Sequence, residues 1–150
     1  YDLVKNIKWC AAKMPYSYYA TGRDKNNHSR NTRMHRLILG LTDPKMLVDH
    51  INHDGLDNRR SNLRICSSSE NNRNRIKRTS CISKYKGVTW DKKNNKWMAH
   101  MRGDGRYITI GRFKDEKEAA LAYDKAAKKH HKEFAWLNSE HFPELRGVSQ

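Results

Sequence analysis

The segment from Val48 to Asn72 gathers side chains that can transfer protons or bind a divalent cation. It contains two histidines, three aspartates, five asparagines and no lysine, although the chain around it is strongly basic. Hydrolysis of a phosphodiester requires a base that activates water and a positive charge beside the leaving oxygen. One histidine together with one hard divalent cation can supply both. The composition of this segment therefore predicts a hydrolytic site.

Four residues of the segment are the candidates for that chemistry. We expect His50 to be the base, and Asn62 to hydrogen-bond its second ring nitrogen and so fix its tautomer. The Asp49 carboxylate and the Asn71 amide oxygen suit Mg²⁺, with Mn²⁺ as an alternative. Such ions keep several waters and take further ligands from a substrate phosphate. His50 and Asn62 are thus predicted to be catalytic, and Asp49 and Asn71 to be metal ligands.

Two further histidines have a weaker case. His53 either lines the site or faces solvent, whereas His35 is favoured as a structural residue and is kept as a candidate to line the site. A structural zinc site is the rival interpretation, but no cysteine pair accompanies these histidines. The three cysteines, Cys10, Cys66 and Cys81, are far apart in the sequence and are interpreted as reduced thiols.

The elements that must position these residues are short. Residues 46–51 and 62–66 have the branched side chains of strands, and an Asp-Gly pair between them marks a turn. Residues 67–75 then begin a helix, with serines available as the N-cap and Glu70 in the first turn. Two more strands are predicted upstream, over 16–22 and 33–41.

The run from "MHRLILG" through "DHINHDGLDNRRSNLRICSSSENN" resembles the HNH endonucleases, the ββα-metal group, and in particular the small homing enzymes of phages and introns. The resemblance covers about residues 34–75. It implies that His50, Asn62 and Asn71 fill the three motif positions, with asparagine in place of the final histidine as in the homing subgroup. It also implies that Asp49 is a metal ligand and that cleavage leaves 5′-phosphate and 3′-hydroxyl ends.

Downstream, the pattern is three strands and one helix. "YKGVTW", "KWMAHMR" and "RYITIGRF" are separated by turn sequences, which predicts an antiparallel meander. Asp115, with Glu118 three residues later, begins a helix with one stripe of small residues, namely Ala119, Ala122, Tyr123, Ala126 and Ala127. Alternation directs five residues towards that helix and leaves a basic face outward; the five are Trp97, Ala99, Met101, Ile108 and Ile110.

These segments, with "EAALAYDKAAKKHH" and "LN", resemble the APETALA2/ethylene-response-factor DNA-binding domain, over about residues 83–138. The resemblance implies that the sheet enters the DNA major groove. The contact positions it carries over are Lys86, Trp90, Lys96, Arg102, Tyr107 and Thr109. The basic run before this domain, with Arg75, Lys77 and Arg78, is interpreted either as an arm along the phosphate backbone or as a solvated linker.

The charge of the chain also favours a polyanionic partner. Thirty-one Lys+Arg face 16 Asp+Glu, for a formal net charge of +15. A merely soluble basic protein is the alternative. The mean hydropathy of -1.06 favours two small modules over one large core. The predicted boundaries are a nuclease module over 1–75, a linker over 76–82, a DNA-binding domain over 83–140 and a tail over 141–150.

The combined prediction is an α+β protein, an N-terminal ββα-metal module followed by a three-stranded antiparallel sheet packed on one helix. We expect a site-directed, metal-dependent endonuclease of the homing type that nicks double-stranded DNA, as a monomer or a homodimer, without a small-molecule cofactor. The alternative is a DNA-binding regulator with an inactive nuclease module. No signal peptide or membrane span is visible, which favours an intracellular protein of a bacterial or phage-infected host.

Overall fold

The computed structural model describes residues 2–15, 17–23, 31–76, 82–103 and 105–147, and it shows a mixed α+β protein. The chain divides into two compact units, Tyr1–Asn71 and Asn72–Gln150. No helix in the described ranges has the length and apolar character needed to cross a membrane. The elements are α1 (Asp2–Lys5), β1 (Lys8–Lys13), β2 (Tyr18–Arg23), β3 (Asn31–Arg33), α2 (Met34–Ile38), β4 (Leu47–His50), β5 (Leu63–Cys66), α3 (Ser68–Asn74), β6 (Val88–Asp91), β7 (Lys96–Gly103), β8 (Arg106–Phe113), α4 (Glu116–His131) and α5 (Asn138–His141).

The first unit contains a three-stranded antiparallel sheet in the order β1-β2-β3. The strand predicted over residues 33–41 is wrong, because α2 begins at Met34. Gly40 has φ 64°, its N–H bonds the Leu37 carbonyl at 3.1 Å, and the Leu41 N–H bonds the Arg36 carbonyl at 2.9 Å. These are the two bonds of a Schellman motif, which ends a helix with glycine in the left-handed region. The glycine was the signal that separated helix from strand here.

Strands β4 and β5 form an antiparallel pair in which Asp49 lies opposite Arg64 and His50 opposite Leu63. Both strands and α3 lie within the segments predicted from the sequence. A capping box begins α3, because the Ser67 hydroxyl accepts from the Glu70 N–H at 3.2 Å and the Glu70 carboxylate accepts from the Ser67 N–H at 2.8 Å. β4, β5 and α3 therefore follow one another in the chain, with the loop of residues 51–62 between the two strands.

The second unit is the predicted antiparallel meander, in the order β6-β7-β8, with α4 packed on one face. Asp115 is the N-cap of α4 and accepts from the backbone N–H groups of Lys117 and Glu118. Ala99 and Met101 of β7 are buried, as the alternation predicts. The main core cluster consists of Tyr85, Val88, Ala99, Ala119, Ala120 and Leu145.

Small residues allow this helix to approach the sheet. Gly87, at φ 73°, precedes β6, and a Cβ there would lie 2.0 Å from a ring carbon of Tyr123. On the helix, alanines also permit a close approach to the sheet, since Ala119, Ala120 and Ala127 have no exposed surface. Of the predicted stripe, Ala119, Tyr123 and Ala127 are buried and Ala122 and Ala126 are partly buried against the core, whereas the buried Ala120 was not part of the prediction.

A buried polar network connects the end of this unit to its beginning. The Asn138 side chain accepts from the Lys86 N–H at 2.7 Å and donates to the Lys86 carbonyl at 3.1 Å. Asp124 of α4 accepts from the Asn138 backbone N–H at 2.7 Å. Asn138 thus acts as a hydrogen-bonding partner for the backbone just before β6, and Leu145 contributes to the core beyond it.

Candidate functional site

His50 is the last residue of β4 and is only 5% exposed. Its ring lies 5.2 Å from the ring of His35 and 5.7 Å from the ring of Tyr19, measured between centroids. His35 and Tyr19 also meet edge to face at 5.7 Å. The three rings come from β2, α2 and β4, so both the sheet and α2 hold the predicted base in place.

Asn58 is a hydrogen-bonding partner of His50, with Nε2 and Oδ1 3.3 Å apart. The Asn58 amide nitrogen donates to the Leu56 carbonyl at 3.0 Å, which fixes the orientation of the amide and directs its oxygen to the imidazole. An oxygen acceptor assigns the proton of the neutral ring to Nε2 and the lone pair to Nδ1. Asn58 therefore selects the tautomer.

Asn62 was expected to make that contact, but its side chain organises the loop instead. Its amide nitrogen donates to Asn52 Oδ1 at 2.9 Å and to the Asp57 carbonyl at 2.8 Å, and its oxygen accepts from the Asn52 N–H at 3.0 Å. The sequence indicated the chemistry of this loop but not its closure. Asn62 therefore acts on His50 indirectly, by stabilising the loop that carries Asn58.

Asp49, the predicted metal ligand, lies beside His50 in the same strand and is paired with Arg64. Its Oδ2 accepts from Arg64 Nε at 2.8 Å and from Nη2 at 2.6 Å. The two side chains are 7% and 16% exposed, so the pair is largely shielded from water. Arg64 was not singled out in the sequence; the register that places it opposite Asp49 was the signal that could have found it.

The other predicted ligand, Asn71, is exposed in α3 and hydrogen-bonds neither Asp49 nor His50 in the described part of the chain. Within the same described ranges, no group of three or more His, Cys, Asp or Glu side chains could hold a metal ion. One carboxylate and one amide suit an ion that keeps most of its water and binds phosphate, as Mg²⁺ does. They do not suit a structural zinc ion.

The His35 ring meets the His50 ring edge to face, and His35 is 4% exposed. Burial, the adjacent His50 and the cations of Arg33 and Arg36 lower the pKa of His35 to about 4. Its Nδ1 is buried and has no hydrogen-bonding partner among the described residues. His53, in contrast, is half-buried in the turn after β4, where its backbone N–H bonds the His50 carbonyl at 3.0 Å.

In the second unit, most residues carried over as DNA contacts share the face of the sheet opposite α4. Arg102 pairs across the strands with Tyr107, and His100 pairs with Thr109. Tyr107 is 55% exposed and its ring stacks on His100 at 4.8 Å, with 23° between the planes. Lys96, Arg102 and Thr109 are exposed. This face combines positive charge with stacked rings. Trp90 does not belong to this face, because it pairs across the strands with Trp97 and so lies on the side that packs on α4, where it is partly buried.

Lys86 has a different environment. Its ammonium donates to the carbonyls of Arg73 and Arg75 at 2.5 and 2.6 Å and lies 5.6 Å from the centroid of the Trp136 ring. Burial lowers the pKa of Lys86 to about 8. Of the basic run, Arg75 is exposed, whereas Lys77 and Arg78 lie outside the described residues.

Comparison with known proteins agrees with this division of the chain. An HNH endonuclease family model matches residues 33–73, and an AP2 domain model matches residues 83–133. An uncharacterized HNH endonuclease of Acanthamoeba polyphaga mimivirus is 30% identical over 143 residues, which cover 95% of this chain and 72% of that protein. No solved structure matches the chain significantly. The chain belongs to the HNH endonuclease family and carries an AP2 domain after its HNH domain.

Proposed function

We propose that the protein is a metal-dependent endonuclease that hydrolyses a phosphodiester in double-stranded DNA. The observation that carries the proposal is His50, buried at the end of β4 with Asp49 beside it and with Asn58 holding its ring. A histidine base and a carboxylate that can hold a divalent cation are two groups that hydrolysis of a phosphodiester can use. The family match supports the same reaction.

In this proposal, His50 takes the proton from the attacking water through Nδ1. Donation of Nε2–H to Asn58 leaves Nδ1 with the lone pair. The rings of Tyr19 and His35, which pack against the imidazole, limit its rotation, so its orientation is set before substrate binds. Asn62 contributes by stabilising the loop that presents Asn58, which makes it a positioning residue.

A divalent cation, Mg²⁺ or Mn²⁺, would be held by Asp49, with Asn71 as the second protein ligand. Such an ion, when bound, neutralises charge that develops on the phosphate and the leaving 3′ oxygen. Arg64, which donates to Asp49 Oδ2 in the free protein, would have to give up part or all of its hold on the carboxylate for the ion to bind. The remainder of a ββα-metal site then comes from water and substrate.

The AP2 and HNH domains both indicate DNA binding. We propose that the face bearing Arg102, Tyr107 and Thr109 lies in the major groove, which accepts a β-ribbon. One HNH centre cuts one strand, so the expected product is a nick, and the expected role is site-directed cleavage of the homing type. Two chains, or two binding events, would be required for a double-strand break.

A supercoiled plasmid that contains the cognate sequence tests the proposal. Wild-type protein with Mg²⁺ should convert it to the open-circular form, and EDTA should prevent the conversion. We expect His50→Ala to lose cleavage by at least about a hundredfold while DNA affinity changes by less than about 1 kcal/mol, because the base acts chiefly in the transition state.

The matched control is His130→Ala, which removes an exposed histidine of α4 and should cleave normally. Near-normal cleavage by His50→Ala would show that His50 is not the catalytic base. DNA binding without cleavage of cognate DNA by the wild type, with metal present, would favour the DNA-binding regulator.

A further inference from the structure

The pairing of Asp49 with Arg64 has a direct bearing on metal binding. Two N–H groups of Arg64 donate to the same oxygen of Asp49, Oδ2, at 2.6 and 2.8 Å. The two residues face each other across β4 and β5, so the backbone register holds the pair together. The carboxylate that we assign to the metal therefore already has a cationic partner in the free protein.

A cation and a guanidinium compete for the same carboxylate. Divalent metal at Asp49 gains the attraction of the anion but is repelled by the nearby Arg64, and the hydrogen bonds to Oδ2 must weaken for it to bind. The low exposure of the pair strengthens both effects, because less water screens them. In the absence of substrate, Arg64 should thus keep the metal site weak.

DNA changes this balance. A phosphate is an alternative anion for a guanidinium, whose planar fork matches phosphate oxygens as well as it matches a carboxylate. We propose that Arg64 couples metal binding to DNA binding, by holding Asp49 in the free protein and transferring its hydrogen bonds to a DNA phosphate when the substrate arrives. This inference rests on the proposed function. It makes Arg64 a positioning residue for Asp49 as well as a phosphate contact.

The test is Mn²⁺ binding, measured by electron paramagnetic resonance on the whole chain with and without a cognate duplex in which a methylene group replaces the scissile 3′ oxygen, which keeps the phosphate charge but blocks hydrolysis. The wild type should bind Mn²⁺ weakly alone and roughly ten- to a hundredfold more tightly with duplex, the range expected for releasing a charge-assisted bond. By reciprocity, Mn²⁺ should tighten duplex binding by the same factor.

Arg64→Gln should bind Mn²⁺ more tightly than the wild type without DNA. Its gain in affinity from the duplex should be smaller than that of the wild type, because only the phosphate ligands of the metal contribute to it. Its cleavage at saturating Mn²⁺ should nevertheless be slower, because the phosphate contact is lost. Substitution of a residue with a purely structural role would not raise Mn²⁺ affinity. The matched control is Arg59→Gln, which breaks another Arg–Asp pair in the same unit, with Arg59 exposed and Asp57 largely shielded, and should leave Mn²⁺ affinity unchanged.

Arg64→Lys provides a second variant if the glutamine variant does not fold, since it keeps the charge and loses the fork. It should show intermediate Mn²⁺ affinity and intermediate coupling. Equal Mn²⁺ affinity in the wild type with and without duplex, or unchanged affinity in a folded Arg64 variant, would overturn the inference. Because Mn²⁺ binding is measured without turnover, such a result leaves the His50 cleavage test independent.

Discussion

Acidification should destabilise the first unit through His35. This histidine has its pKa lowered to about 4 from 6.5. The unfolded chain therefore takes up a proton as pH falls through 6.5, whereas the folded chain does so only near pH 4. A lowered histidine pKa means that stability is full above pH 6.5 and is lost between 6.5 and 4. The difference corresponds to about 3 kcal/mol, at 1.36 kcal/mol per pH unit.

The informative variant is His35→Phe. Phenylalanine keeps the edge-to-face contacts with Tyr19 and His50, and it gives up no hydrogen bond at Nδ1, which has no partner among the described residues. It cannot titrate. Native-state hydrogen exchange of the β4 and β5 amides reports opening of this unit specifically. Between pH 7 and pH 4 we expect the free energy of opening to fall by about 3 kcal/mol less in the variant than in the wild type.

The control is His53→Asn, in the same unit. Residue 53 has φ 64°, a conformation that asparagine tolerates, so the change should leave the pH dependence in place. Equal pH dependence in the wild type and His35→Phe would refute the reasoning, because it would show that His35 is not the group whose protonation opposes folding.

Two further predictions concern the second unit. Lys86→Met should lower its stability by about 1–3 kcal/mol through loss of the bonds to the backbone carbonyls of Arg73 and Arg75, yet leave the salt dependence of DNA binding unchanged. Lys96→Met, on the outward face, should instead reduce the slope of log affinity against log salt by about 1, and the same reduction in Lys86→Met would make Lys86 a phosphate contact. Asp115→Ala should cost about 1 kcal/mol in thermal or urea unfolding, because it removes the N-cap of α4; a change below about 0.3 kcal/mol would contradict the capping role.

The second unit could be predicted from the sequence nearly element by element. Its strands alternate, as in Trp97, Ala99 and Met101, apart from a register shift between Ala99 and His100, and its turns carry the residues that turns require, so local signals and the fold agree. The strand predicted over residues 33–41 was wrong because the local signal was ambiguous. A short apolar run does not distinguish a strand from one turn of helix, and the position of Gly40 decided the outcome.

In the candidate site, residue types were predictable but their partners were not. Spacing identified His50 and the asparagines of the loop, yet the choice of Asn58 over Asn62 depends on how residues 51–62 close. The Asp49–Arg64 pair depends on strand register, which the two predicted strands did not fix. Lys86 was predicted to be a surface contact. Its burial arises from tertiary contacts with the end of α3, which the local sequence around Lys86 does not indicate.

The contact between Asn138 and the backbone of Lys86 has a practical consequence for defining this domain. The AP2 family model ends at residue 133, whereas the side chains that complete the fold extend to Leu145. A fragment cut at the family boundary would leave the backbone before β6 without its amide partner and would uncover the end of the core. Expression of the DNA-binding half alone should therefore succeed with a C-terminus after Leu145 and fail with one at 133. The minimal folding unit is longer than the segment that sequence comparison recognises.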